Sequence, residues 1–150
     1  MRVKVAILSC LVLMLGAFAA LLAEQTLDGQ THASTRDGVY TAQQAERGRT
    51  SYNKACASCH SANLDGVGQT PPLAGPDFTA HWSGQPVDEL FEKIQTTMPA
   101  DHPGRISRAE NADVLAYMLK VNKFPPGEGQ LPSDAEGLKQ IQFDDPPSKK

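Results

Sequence analysis

An all-α fold is the class this sequence predicts, and three observations predict it. Apolar residues recur at three- and four-residue spacing in three separate stretches, each opened by a helix-start pattern. No alternation of apolar and polar residues long enough for a strand occurs. Runs rich in Gly, Pro, Asn and Asp separate the stretches, which leaves loops rather than strands between helices.

Residues 1–23 read as a secretory signal. Arg2 and Lys4 precede an apolar run from Val5 to Leu22, and small residues follow at Ala19, Ala20 and Ala23, each a candidate cleavage point. The alternative is an uncleaved anchor, because the 18 residues of that run approach the length of a membrane span. Cys10 has too little apolar sequence before it to read as a lipoprotein site. Residues 24–39 are polar and without period, a spacer between leader and domain.

The domain itself is expected over 40–124. Thr41-Ala42-Gln43-Gln44 has the form of a capping box, with the threonine hydroxyl and the Gln44 side chain each meeting an exposed amide. Ala45, Gly48, Tyr52 and Cys56 then share one helix face, and Gly48 on that face predicts a close helix crossing. Residues 61–84 show no amphipathic period and read as one long loop, a length that a compact domain tolerates only for a purpose. Pro86, Asp88 and Glu89 open a second helix whose apolar face is Val87, Leu90, Phe91 and Ile94. Ser107 and Glu110 cap a third, with Val114, Tyr117, Met118 and Val121 on its apolar face. Phe124-Pro125-Pro126 stops it. Residues 125–150 form a polar extension with a short candidate helix around 135–141 and a disordered end at Pro146-Pro147-Ser148-Lys149-Lys150.

Removal of residues 1–23 from the 150 leaves 127, one domain's worth, with 12 basic side chains against 17 acidic ones and a formal charge of −5. That balance excludes nucleic acid as a natural partner and favours docking onto a basic surface.

The chemistry is concentrated in Cys56-Ala57-Ser58-Cys59-His60. Cys-x-x-Cys-His is the attachment signature of c-type haem, with two thiols one helical turn apart for two vinyl groups and His60 following for the iron. Three other readings of the same residues fare worse. A thioredoxin-like pair needs a preceding strand. A structural zinc site needs four ligands, and the remaining cysteine, Cys10, is in the leader. A plain disulfide leaves His60 without a role. A haem that moves electrons takes a second axial ligand, and a methionine thioether raises the potential by favouring ferrous iron. The candidates are Met98, Met118, His81 and His102. Met98, in a Thr-Thr-Met-Pro loop after a helix and outside any apolar stripe, is the expected ligand. Met118 lies on a packing face, and His81 and His102 read as surface histidines.

The chain resembles the class I c-type cytochromes over roughly residues 41–122. The likeness rests on Gly48-x-x-x-Tyr52-x-x-x-Cys56, the Cys-x-x-Cys-His motif, Pro71-Pro72-Leu73-Ala74-Gly75, Trp82, Thr97-Met98-Pro99 and Ala112-Asp113-Val114-Leu115-Ala116-Tyr117. It implies a cytochrome c-like fold, helices and loops wrapped around one covalent haem. It also implies that Gly48 and Tyr52 meet Val114 and Tyr117, that Pro71 accepts a hydrogen bond from the axial histidine, and that Trp82 bonds a haem propionate. The basic ring that often surrounds the haem edge in this family is absent here. The tail beyond Asn122 is similar to cytochrome modules that accompany bacterial quinoprotein alcohol dehydrogenases.

Together these readings lead to a periplasmic single-haem electron carrier with His60 and Met98 as iron ligands. It would work between a periplasmic dehydrogenase, a quinoprotein by the likeness of the tail, and a terminal oxidase. No nucleophile–base pair accompanies the motif, so electron transfer rather than catalysis is expected. Two alternatives stay open: an electron-transfer subunit of a membrane-bound dehydrogenase or oxidase complex, and a gas-binding sensor with an open sixth position.

Overall fold

The computed structural model describes residues 32–147, so the expected leader, the first part of the spacer and the last three residues of the tail lie outside the described residues. The chain folds as helices joined by loops, with one very short sheet. In order these are β1 (Ala33–Ser34), a 3₁₀ turn (Thr35–Asp37), α1 (Ala42–Ala55), α2 (Ala57–His60), α3 (Pro76–Trp82), α4 (Val87–Thr97), α5 (Arg108–Val121), α6 (Ala135–Lys139) and β2 (Ile141–Gln142).

Helix α1 starts where its cap predicts, the Thr41 hydroxyl accepting from the Gln44 amide at 3.1 Å. The other half of the expected box is absent. The buried Gln44 side chain turns to the tail instead, donating to the Leu131 carbonyl at 3.0 Å and accepting from its amide at 2.7 Å. A buried amide that both donates to and accepts from the backbone of one residue gains two bonds there, which outweighs one helix-end bond. Helix α5 keeps both halves of its box, Ser107 with Glu110.

Helices α1 and α5 cross at the position of Gly48. A Cβ there would lie 1.7 Å from the Asp113 carbonyl oxygen and 3.0 Å from Tyr117 Cβ. Beside the crossing, the Tyr52 and Tyr117 rings pack with centroids 5.4 Å apart, and Arg47 makes two 2.8 Å bonds to Asp113. Gly48→Ala therefore drives a methyl group into backbone. Alanine's better helix propensity, worth about 1 kcal/mol, is outweighed by overpacking of about 1–3 kcal/mol at its upper end, because a backbone oxygen cannot rotate away. The expected result is a lower midpoint of denaturant unfolding for the variant, read with the slope unchanged.

Two expectations are corrected by the fold. Residues 61–84 are not one loop, because α3 occupies Pro76–Trp82. Pro76 opens its first turn and Asp77 faces the positive end of its dipole. The described part of the spacer is also built into the fold. Ala33 and Ser34 pair in parallel with Ile141 and Gln142, and the tail that carries those partners buries Leu131, Leu138, Ile141 and Phe143. The short tail helix ends at Lys139, and Ile141 belongs to the strand.

Further bonds tie the first described residues to the tail. Asp144 N donates to Thr35 Oγ1 at 3.0 Å, Ser34 Oγ donates to the Asp144 carboxylate, and Arg36 Nε donates to the Asp145 carbonyl at 2.6 Å. Tyr40, fully buried, donates its hydroxyl to the Phe124 carbonyl at 2.8 Å, and burial pushes that hydroxyl up to about 12. Among the described residues, no helix is long and apolar enough to cross a membrane.

A cysteine–histidine cavity as the candidate functional site

Helix α1 delivers Cys56 at its end, and α2 carries Cys59 and His60 one turn on. Both cysteines are free thiols, so the plain disulfide reading has no bond behind it in the structure. Cys56, Cys59 and His60 all face one cavity of about 870 Å³. That volume lies at the upper end of the roughly 300–1,000 Å³ typical of small-molecule and cofactor sites.

The His60 ring is oriented by the loop after α2. Its Nδ1 lies 3.0 Å from the Pro71 carbonyl oxygen. A carbonyl only accepts, so Nδ1 carries the proton and Nε2 keeps its lone pair free. Pro71 is in turn held by its surroundings. Leu73 N donates to the Leu64 carbonyl at 2.8 Å. The Asn122 side chain, at the end of α5, accepts from Gly75 N and donates to the Leu73 carbonyl, both at 3.0 Å. Asn122 thus staples the proline loop to the helix bundle. Its place in the sequence, at the end of an apolar stripe, gives no signal of that task.

Met98 follows α4 as its C-terminal cap, half-buried, and Met98 through Asp101 all border the cavity. Met118 borders it too, almost fully buried beside Val114 on α5, so the structure brings both methionines to the cavity. His81 is exposed yet reaches the cavity edge, its ring set edge-on to Trp82 at 5.0 Å. His102 stays on the surface, 3.3 Å from the Asp101 carboxylate. Trp82, at the end of α3, is half-buried and lines the same wall as Phe78.

Apolar side chains dominate the rest of the lining, with Leu90 and Ile94 from α4 and Leu73 from the proline loop. Phe78 escaped the sequence reading together with its helix. Four charged residues border the cavity among the described residues, the acids Asp77 and Asp101 and the bases Lys93 and Arg105. Burial pushes the Cys56 thiol up to about 11, an effect that the nearby Arg105 charge partly offsets. Burial also raises the Tyr52 hydroxyl above its ordinary range, and it donates to the Ser61 carbonyl at 2.7 Å.

These features form a consistent donor set. A large, mostly apolar cavity lined by two thiols, by an imidazole whose Nδ1 is engaged and by two thioethers fits a flat apolar macrocycle with a soft-tolerant metal at its centre. They suit a haem of the c type, and they do not suit zinc. Among the described residues no group of three or more His, Cys, Asp or Glu side chains is gathered for a metal ion.

Comparison with known proteins gives two positive findings. Residues 43–118, just over half of the chain, match the family model described as cytochrome C oxidase, cbb3-type, subunit III. A chain in the crystal structure of the sulfane dehydrogenase SoxCD from Paracoccus pantotrophus resembles this fold with a TM-score of 0.52 at 18% identity. The likeness covers 70% of this chain and 60% of that one, so it spans less than two thirds of the longer protein. No curated protein matches the sequence.

Proposed function

The chain belongs to the c-type cytochrome family described as cytochrome C oxidase, cbb3-type, subunit III, and on that premise we propose that it is a periplasmic carrier of single electrons with one haem. Membership carries the coarser statement, haem-based electron transfer through covalently bound haem c. The finer reading is supported by one observation above others: His60 lines the cavity that both cysteines border, and its Nδ1 lies 3.0 Å from the Pro71 carbonyl oxygen, which leaves Nε2 for a ligand bond.

In this reading each residue has a distinct task. Cys56 and Cys59 hold the group by thioether bonds, which makes its retention independent of affinity. His60 binds iron through Nε2. The Pro71 carbonyl fixes the ring's tautomer and direction and increases its basicity. Met98 would supply the second iron ligand, favoured over Met118 because it sits in a run of consecutive cavity residues rather than in a helix packing face. Haem supplies a one-electron couple between ferric and ferrous iron. Phe78, Leu90 and Ile94 exclude water from the site, which favours the form of lower net charge. Trp82 stands as the donor for a propionate.

Export rests on the leader pattern in residues 1–23, which also supplies the compartment in which such attachment is expected. The donor is proposed to be a periplasmic dehydrogenase and the acceptor a terminal oxidase. The SoxCD likeness speaks for a redox partner in general rather than for either of them. Over residues 40–124 the chain carries nine acidic and eight basic side chains, so most of the −5 charge resides outside the helical domain. Charged residues at the cavity are balanced two against two. Docking onto a basic partner should therefore be steered, but weakly.

A pyridine haemochrome spectrum with denaturing mass spectrometry tests the assignment. The expected result is one haem mass added covalently to a chain that lacks its leader. A stopped-flow series with a candidate dehydrogenase tests the partner. The rate should fall modestly as salt shortens the Debye length to about 10 Å and below. A rate that climbs with salt means like-charged partners and removes that part of the proposal.

A further inference from the structure

The tail lies beyond the residues that match the family model, yet one of its side chains packs behind the cavity wall. Phe143 is almost fully buried. Its ring packs edge-on against Phe78, centroids 6.2 Å apart, and against Phe124 at 5.3 Å. Its backbone pairs both ways with the turn between α3 and α4. Gly84 N donates to the Phe143 carbonyl and Phe143 N to the Gln85 carbonyl, each at 2.8 Å. That turn is a sensitive place to hold. The helix before it carries Phe78 and Trp82 to the cavity, and the helix after it carries Leu90 and Ile94 and ends at Met98.

On its other side the tail is fastened to the start of the domain. Ala33 N donates to the Gln140 carbonyl at 2.8 Å, and the Ser34, Thr35 and Arg36 bonds to Asp144 and Asp145 follow. One short segment is therefore anchored at one edge and inserted behind the cavity wall at the other. A strap that only closed the domain would not need an aromatic ring against the residue that lines the cavity.

We infer that the segment 140–145, with Phe143 as its anchor, is a positioning element that fixes how Trp82 and Met98 are presented to the haem. This inference rests on the electron-carrier reading for the identity of the group, and on the geometry alone for the wall. Phe143 touches no reacting atom; it acts through Phe78 and through the α3–α4 turn.

The full-length holoprotein provides the test. Trp82 is the chain's single tryptophan, so its emission reports the wall directly, and a nearby haem quenches it. In Phe143→Ala, the emission rises severalfold and the weak near-red sulfur-to-iron band of the oxidised protein fades, with helix content retained by circular dichroism. Leu131→Ala is the comparison. Leu131 is as deeply buried in the tail but is bonded to Gln44 on α1, so its loss lowers stability and leaves emission and band at wild-type values. Phe143→Leu, which keeps an apolar anchor, restores most of the quenching.

If Phe143→Ala loses stability as Leu131→Ala does and moves neither reading, the tail is merely structural and the inference is overturned. Should Phe143→Ala fail to accumulate, Phe143→Val is judged by the same two readings. A wild-type protein without covalent haem would overturn the carrier assignment instead. In that case a red-shifted Trp82 emission in Phe143→Ala, absent in Leu131→Ala, still decides for the tail, and equal emission in the two decides against it.

Discussion

Replacing Cys56 and Cys59 together with alanine removes all haem that survives denaturation and lowers the stability of the fold. Both effects follow from the cavity. It measures about 870 Å³ and has a largely apolar lining. Apolar walls that the group would cover are left to water, at about 25 cal/mol for each Å² exposed. Whole domains are stable by only about 5–15 kcal/mol. Without its covalent filling the domain is expected to lose much of that margin. A haem-stained denaturing gel and far-ultraviolet circular dichroism read the two effects separately. Covalent haem on the double variant would defeat the assignment of both cysteines. Each single variant is expected to keep one thioether and part of the colour, because either thiol alone still ties the group to the chain.

Met98→Ala is expected to have the next largest effect. The near-red band of the oxidised protein disappears and the midpoint potential falls strongly, because the thioether that favours ferrous iron is gone. Met118→Leu is the essential comparison, since Met118 also borders the cavity. As a volume-conserving swap at a packed site it should cost less than about 1.5 kcal/mol and leave band and potential in place. A potentiometric titration of the two variants beside wild type settles which methionine binds. The opposite pattern would transfer the ligand role to Met118 on α5 and reduce Met98 to a loop residue.

Much of this was legible in the sequence because it is written locally. Helices α4 and α5 show their apolar faces and caps within one stretch, and Gly48 on the Tyr52 face announces a crossing. Cys56, Cys59 and His60 are legible for a stronger reason, since attachment chemistry demands that order and spacing. Helix α3 was hidden by Gly75 before it, Pro76 at its first position and Gly84 after it, although Phe78 and Trp82 stand four apart and Asp77 follows Pro76 as at a helix start. The tail was hidden by different physics. Leu131, Leu138, Ile141 and Phe143 follow no single period, because each packs on a different part of the domain. Two paired residues per strand are also too few to show an alternation. Asn122 and Gln44 illustrate the remaining gap. Their bonds reach 49 and 87 residues along the chain, so only the folded chain brings their partners within range.

The parallel pairing of β1 with β2 also has a mechanical meaning. In a parallel pair the chain enters one strand and leaves the other in the same direction. A pull on the segment before Ala33 and on the segment after Gln142 therefore loads the two strands in shear, along their length and in opposite senses. The bonds of Ala33, Thr35 and Arg36 to the tail then share the force instead of breaking one after another as in a zipper. A chain pulled from both sides would resist where those strands meet, with the bonds of Phe143 to Gly84 and Gln85 taking the load first on the tail side.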